Sequence, residues 1–433
     1  YYMADAMAEL FRSGEVPMEV LDDKVRRVLR LNMRTAMNRN RPWGSFNSPE
    51  HTALAREVAE QGIVLLKNEG NLLPLNTEKF RSVAVIGENA TRVHAGGGGA
   101  AKVKARYEIT PLEGIRTRFG DKVKVNYAMG YCSYTPLADR VIPEPYDNAE
   151  LKKEAVAVAA ASDVVLFIGG LNHNRYQDSE AFDRASYELP YGQEELLEAI
   201  LDVNENVVLV LVSGTAVDLS FAGGIPAIVQ GWYGGSEAGN ALAAVLAGDV
   251  NPSGKLPFSF PARLEDCGAH AFGPEAYPGI DLKEVYKDDI LVGYRWYDTK
   301  GIEPLYAFGH GLSYTSFAYG KPKTDKSFYG KDGTVKLSFD VTNTGPVDGA
   351  EISQVYVSQS KASVMRPVKE LKGFAKTFLR AGETRRVEIE LPVSEWAFWD
   401  EAGAGWVVEP GEFVLHVGAA SDDIRHSVSV DVK

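Results

Sequence analysis

Two apolar stretches, one in the strand read at 163–168 after its opening Asp163 and one at 207–212, constrain this chain more than any other feature in it. A strand that is apolar at nearly every position must be covered on both faces, and a mostly parallel sheet between two helical layers does this. The neighbouring sequence supplies the helices. Thr110-Pro111-Leu112-Glu113 is a capping box with proline at the first helical position. Residues 150–161 form an alanine-rich helix, and 191–204 and 237–246 read as two more. Short strands at 82–86, 122–127 and 227–230 complete the alternation. The pattern predicts an α/β sandwich domain over 82–264, closed by a Pro-, Gly- and Ser-rich stretch at 252–261.

The flanks have a different texture. Residues 1–40 read as two helices split by Gly14 and Pro17, with Leu21, Val25, Val28 and Leu29 on one face. Ser48-Pro49-Glu50 opens a further helix towards Gly62, so 51–81 is expected to be a linker of helix and loop. Helices with no sheet of their own make a poor core, so this segment is expected to pack on a domain outside the sequence. Tyr1-Tyr2-Met3-Ala4-Asp5-Ala6 reads as helix interior, with no basic and apolar leader. The expectation is a C-terminal piece of something longer; the alternative is a mature N-terminus after signal removal. Residues 265–325 are a loop-rich aromatic connector, with Tyr286, Tyr294, Trp296, Tyr297, Tyr306, Phe308 and Tyr314.

From Thr334 the period changes to two. Val335, Leu337, Phe339 and Val341 alternate with polar residues, and the pattern returns at Val355 and Val357, at Val387, Ile389 and Leu391, and at Phe413 and Leu415. This predicts a β-sandwich over 326–433, of fibronectin type III kind because no Cys-Trp-Cys core is present. Trp396, Trp399 and Trp406 are read as sandwich core or domain interface, with polysaccharide binding as the alternative.

Composition narrows the function classes. Lys and Arg number 46 against 59 Asp and Glu, a net charge of −13. Such a field does not hold nucleic acid or anionic lipid, and a neutral or cationic small substrate fits better. No apolar run approaches the ~20 residues of a membrane span. Cys132 and Cys267 are the only cysteines, too few for a disulfide scaffold or a four-cysteine zinc site.

In an open α/β sheet ligands bind beyond the carboxyl ends of the strands. Three loops qualify. The first follows Ile86 and holds the glycine run 96–99, whose spacing fits neither a dinucleotide fingerprint nor a phosphate loop. The third begins Gly231-Trp232-Tyr233-Gly234-Gly235. The second, after Ile168, runs to Pro190 and is too long and too polar to be a mere connection. It crowds Asp178, Glu180 and Asp183, and carboxylate crowding with partial burial raises the pKa of one member. A carboxylic acid still protonated near neutral pH is what glycoside hydrolysis needs. A surface acidic loop is the other reading of the same residues. His173 alone reads as structural, and no His, Cys or carboxylate spacing supports a metal site.

An ordered series of motifs resembles glycoside hydrolase family 3. It comprises Leu65-Leu66-Lys67-Asn68-Glu69-Gly70, the 96–99 glycines leading to Thr110-Pro111-Leu112-Glu113-Gly114, Glu180-Ala181-Phe182-Asp183-Arg184, and Leu189-Pro190 with Gln193. Gly248-Asp249-Val250-Asn251-Pro252-Ser253-Gly254 and Phe308-Gly309-His310-Gly311-Leu312-Ser313-Tyr314 follow. The resemblance implies the last helices of a (β/α)8-type barrel over 1–50, then the α/β sandwich, then the fibronectin-like domain. It implies a retaining exo-acting β-glucosidase of periplasmic or secreted location, without cofactor or metal, acting on a β-linked oligosaccharide or aryl β-glucoside. It makes Glu180 the acid/base, with the nucleophilic Asp on the N-terminal barrel domain that this sequence lacks. Ala181 stands where the family has Gly, a strain of about a kcal/mol if the loop needs a positive φ there. Asp183 and Arg184 are expected to order the loop, Arg184 through Asp183 or a backbone carbonyl. His173, Asn174, Arg175 and Tyr176, with Asn172 and the glycine loop, are expected to line the leaving-group side. The alternatives are a β-xylosidase or other exo-glycosidase of the family, or an inactive accessory fragment.

Overall fold

The computed structural model describes residues 4–97, 101, 103–134, 146–180 and 182–433. The chain divides into two units, residues 1–51 and 52–433. In the first, α1 (Ala4–Ser13) and α2 (Met18–Arg34) are separated at Gly14, which has φ +79°, and at Pro17, the N-cap of α2. None of the residues of α2 is buried. Its apolar stripe, including Val25, Val28 and Leu29, is exposed. Helix α3 (Pro49–Gly62) starts where the Ser-Pro-Glu signal predicts, with the His51 N–H donating to the Ser48 hydroxyl.

The second unit is organised by a six-stranded sheet. Its strands are β1 (Val64–Asn68), β2 (Ser82–Ile86), β3 (Lys124–Ala128), β4 (Val164–Gly170), β5 (Val207–Val212) and β6 (Ala227–Gln230). The order is β1-β6-β5-β4-β2-β3, all neighbours parallel except β1, which runs antiparallel to β6. Every residue of β4, β5 and β6 is buried, as the apolar runs demand. Alternate side chains feed two cores. Val165, Phe167, Leu209 and Leu211 pack with helices α5 (Asn148–Ala160) and α6 (Gln193–Leu201). Val164, Leu166, Val208 and Val210 pack with α4 (Pro111–Phe119) and α7 (Ala238–Ala247). The Thr110 capping box forms with both of its hydrogen bonds.

The sheet corrects one boundary. The expected linker at 51–81 contains β1, so the α/β domain begins at residue 64 and not at 82. The aromatic connector is tied back onto this domain: Phe260 bridges to Tyr306, and Leu312 bridges to Leu65 of β1. Its short helix α8 (Tyr294–Lys300) places Trp296 and Tyr297 in a small core with Leu291. Tyr294 stacks on Phe308 with centroids 4.5 Å apart.

The β-sandwich begins earlier than the expected residue 326. One sheet holds β7 (Phe317–Tyr319) and β8 (Lys323–Thr324), both paired to β10 (Thr334–Asn343), and β13 (Thr384–Pro392). The other runs from β12 (Glu370–Leu379) through β11 (Gly349–Gln359), β16 (Gly411–Gly418) and β17 (Ile424–Val432) to β9 (Phe328–Tyr329). Strands β14 (Phe398–Asp400) and β15 (Gly405–Val407) form a separate hairpin. The three tryptophans divide: Trp396 is buried against Phe413, while Trp399 and Trp406 face each other across the exposed hairpin.

Helices α4 and α7 cross at backbone contact. A methyl at Gly239 would lie 2.0 Å from the Thr110 carbonyl oxygen, and one at Gly114 the same distance from the Gly239 carbonyl oxygen. Backbone on both sides cannot yield as a side chain would. Gly239→Ala is expected to lower the unfolding free energy by about 3 kcal/mol, seen as a lower urea midpoint at unchanged slope. An unchanged midpoint would show that the helices can separate at little cost.

Candidate active site

The strand order reverses between β2 and β4. From β2 the chain goes to β3 on one side, and from β4 to β5 on the other, and the following helices α4 and α6 lie on opposite faces. The loops leaving β2 and β4 therefore part at the carboxyl edge of the sheet and open a crevice there. The second loop is held at both ends by one buried amide. Gln193 Oε1 accepts from the Gly170 N–H at 2.8 Å, and Nε2 donates to the carbonyls of Gly170 at 2.8 Å and Pro190 at 2.9 Å. Gly170 has φ +105°, and a Cβ there would lie 2.5 Å from the Val212 carbonyl oxygen. Asn89, from the first loop, donates to the Leu171 carbonyl at 3.0 Å.

Within the loop Asp178 is the hub. Its Oδ2 accepts from the Gly214 N–H at 2.7 Å and the Tyr233 hydroxyl at 2.9 Å, and Oδ1 from the Thr215 hydroxyl at 3.1 Å. His173 Nδ1 donates to the Asp178 carbonyl at 2.8 Å. Ser179 and Phe182 then pair across an isolated antiparallel bridge, which puts Glu180 at the tip of the turn between them. Glu180 is exposed. The Arg175 guanidinium lies 4.1 Å from the centre of the Phe182 ring and 5.0 Å from that of Tyr176, bracing the turn. Tyr176 takes φ +65°, an unusual conformation for a residue with a Cβ. Arg184 Nη2 donates to the Ala216 carbonyl at 2.8 Å, and burial pushes its guanidinium pKa down.

The first loop supplies the opposite wall. Arg92 donates to Ser133 Oγ and to Asn174 Oδ1, both at 2.6 Å, and Asn174 Nδ2 donates to the Ser133 carbonyl at 2.7 Å. His94 packs against Tyr233, with centroids 5.3 Å apart, and against His173 at 5.7 Å. Neither of its ring nitrogens has a hydrogen-bond partner among the described residues. Burial, then the charges of Arg92 and His173, hold its pKa down at about 3. Burial, with the Asp178 carboxylate beside it, pushes the Tyr233 hydroxyl up.

The three carboxylates that the sequence crowds together differ in exposure and in what the structure shows beside them. Asp178 is turned inward onto three donors. Asp183 is exposed and faces Tyr277, whose hydroxyl is pushed up by burial and by that carboxylate. Of the expected leaving-group residues, His173 and Asn174 are tied into the loop's own hydrogen bonds, while Arg175 and Tyr176 remain exposed. The Ala181 departure and residues 98 and 99 of the glycine run lie outside the described residues. Sequence reasoning missed Arg92 and His94, whose partners Ser133, Asn174, His173 and Tyr233 are all distant in the chain; Tyr233 stood in the third loop but carried no signal of its role. Among the described residues no group of three His, Cys, Asp or Glu side chains is arranged to hold a metal ion.

An α/β sheet with an exposed glutamate at a braced loop tip, followed by a fibronectin-like sandwich, is the architecture of the C-terminal half of a class of glycoside hydrolases. Comparison with known proteins is specific. Residues 63–314 match the Glycosyl hydrolase family 3 C-terminal domain, and residues 351–421 match the Fibronectin type III-like domain. The chain belongs to glycosyl hydrolase family 3. It is similar to beta-glucosidase BoGH3A of Bacteroides ovatus, 48% identical over 100% of this chain and 58% of that protein. It is 38% identical to a beta-xylosidase of Formosa agariphila, over 89% of this chain and 50% of that protein. The crystal structure of a Bifidobacterium adolescentis GH3 beta-glucosidase superposes with a TM-score of 0.86 at 34% identity, covering 100% of this chain and 60% of that one. The chain thus spans between 50% and 60% of the length of these relatives.

His94 makes the site sensitive to acid. The unfolded chain protonates this imidazole below about pH 6.5, whereas the fold keeps it neutral down to about 3. Its contribution is complete above the unfolded value and is lost as pH falls through that window, at about 1 kcal/mol per unit. His94→Phe is expected to shrink the stability difference between pH 7 and pH 5 by about 1–2 kcal/mol, measured by denaturant unfolding at both. An unaltered difference would place the acid sensitivity elsewhere.

Proposed function

We propose that this chain is the acid/base half of a retaining, exo-acting β-glucosidase that removes terminal β-D-glucosyl residues from a β-linked oligosaccharide or an aryl β-glucoside. The observation that carries this reading is the position of Glu180, exposed at the tip of a turn whose base is fixed by Gln193 and whose stem is fixed by Asp178. Glu180 protonates the glycosidic oxygen as the bond breaks and then takes a proton from water in the second step. The nucleophile is an aspartate of the barrel domain that precedes this region in the complete enzyme, brought to ~5–5.5 Å from Glu180. The barrel also encloses Glu180 and supplies the contacts that choose the sugar. The enzyme works in the periplasm or outside the cell. The similarity to a beta-xylosidase supports a pentose-selective variant of the same chemistry as the second reading.

Removal of a general acid matters most when the leaving group is a poor one. In the full-length enzyme, Glu180→Gln is expected to lower kcat on an alkyl β-glucoside about 10²–10⁴-fold, with a much smaller loss on a nitrophenyl β-glucoside. Equal losses on both substrates would assign Glu180 a structural part, and normal turnover on the alkyl glucoside would remove it from the mechanism.

A further inference from the structure

Strands β14 and β15 form a ribbon with two unlike faces. Their register pairs Phe398 with Val407, Trp399 with Trp406 and Asp400 with Gly405, and side chains alternate along a strand. Phe398 and Val407 therefore share one face and the two tryptophans the other. The first face is held by the sandwich. Phe398 and Val407 are half-buried, and Val408, the next residue, packs on the sandwich core. The Arg366 guanidinium lies 5.8 Å from the centre of the Phe398 ring, and it is itself fixed by donating to Gln359 Oε1 at 2.9 Å and to the Trp396 carbonyl at 2.8 Å. The turn of the hairpin is closed by Asp400, whose carboxylate accepts from the Ala402 N–H at 3.2 Å and the Gly403 N–H at 3.0 Å. A ribbon anchored from behind and closed at its turn holds its outer face in one position.

On that outer face Trp399 is 50% exposed and Trp406 72%. The rings meet edge to face, with centroids 5.6 Å apart and planes at 76°. A cross-strand aromatic pair stabilises a hairpin, but stabilisation does not require the two largest side chains to stand in water. Between the tryptophans the hairpin carries Asp400, Glu401, Ala402, Gly403, Ala404 and Gly405. Charge and small side chains are not the apolar surround of a protein interface core. Asp400 and Glu401, in a chain of net charge −13, disfavour an anionic polymer. A sugar ring of gluco or xylo configuration fits instead. Its hydroxyls are equatorial, so both of its faces are bare C–H, and those slightly positive hydrogens lie well against the negative face of an indole. The rim of hydroxyls can meet carboxylates as acceptors and indole N–H groups as donors. Two planes at 76° cannot both lie on one flat surface; they form a corner, which a single chain enters with a face on one ring and an edge against the other.

We propose that the Trp399–Trp406 hairpin is a carbohydrate-binding site of the sandwich domain, and that it takes a single neutral chain of β-linked glucose or xylose units. Linkage through equatorial oxygens keeps such a chain extended and its faces open to the rings. The site holds polymer and does no chemistry, so it goes beyond the reading of Glu180 and does not depend on it.

The test is native electrophoresis of the full-length enzyme through gels with and without a soluble mixed-linkage β-glucan, for the parent, Trp399→Ala, Trp406→Ala and Trp406→Tyr. Retardation needs no turnover, so its outcome is separate from that of Glu180→Gln. Any hold of the catalytic site on chain ends is common to all four proteins, and the differences among them read the hairpin. The expected result is a retarded parent, an apparent affinity about tenfold weaker in each alanine variant, and retardation nearly as strong as the parent's in Trp406→Tyr, which keeps a flat ring. A parent that is not retarded, or four proteins retarded alike, overturns the proposal. So does a Trp406→Tyr variant as weakly retarded as Trp406→Ala, because an aromatic face at this position would then hold no sugar.

Discussion

One carboxylate joins the loops on which this site is built. Asp178 receives the Gly214 N–H and the Thr215 hydroxyl from the loop after β5, and the Tyr233 hydroxyl from the loop after β6, while its own backbone belongs to the loop after β4. Three donors on one ionised carboxylate are charge-assisted bonds, stronger than neutral ones, and they lock parts of the chain that the sheet alone would leave independent. Truncating such a hub would strand several donors at once, so its cost exceeds that of any single bond. Glu180 is two residues further on, and its position is inherited from this anchorage.

The same hub explains why the loop looked so rich in chemistry. Residues 171–190 are polar because a long connection over the sheet edge must satisfy its own backbone. Asn172 is 1% exposed and accepts from the Asn174 N–H; Asn174 in turn serves Arg92 and Ser133. Polarity marked the loop correctly, but it did not separate residues that face outward from residues that hold the loop together. That division depends on partners in the loops after β2, β5 and β6, and no local spacing encodes them. Carboxylate crowding is a poor guide for the same reason: Asp178 is half-buried on three donors, whereas Glu180, two positions on, is exposed.

The fold was more legible because its signals are local. Apolar runs gave buried strands, the Thr110 box gave a helix start, and alternation at 334–341 gave a sandwich strand. The errors fell at short edge elements. Ile63 to Leu66 is an apolar run like those of β4 and β5, but short and directly behind a helix, and the pairing that makes it a strand is to β6, some 160 residues away. Strand β7 is three residues long and owes its existence to β10. The tryptophans show the limit of residue type alone: Trp396 fills the sandwich core, whereas Trp399 and Trp406, a few positions on, stand on a hairpin outside it.

An acid catalyst needs surroundings that keep its proton until the bond breaks, and an exposed turn tip is not yet such a place. If Glu180 is the acid, as proposed, the task is divided. The α/β domain fixes the turn, through Gln193 at its base, Asp178 at its stem and the Arg175–Phe182 contact on its flank. Ordering a flexible loop of this length on docking would cost about 1–2 kcal/mol for each residue fixed. With the loop already ordered, a second surface that closes over Glu180 has only to desolvate it, and that desolvation is what favours the protonated acid. On that proposed reading the bracing and the exposure are two parts of one arrangement, in which this chain supplies the rigidity and a closing surface would supply the burial.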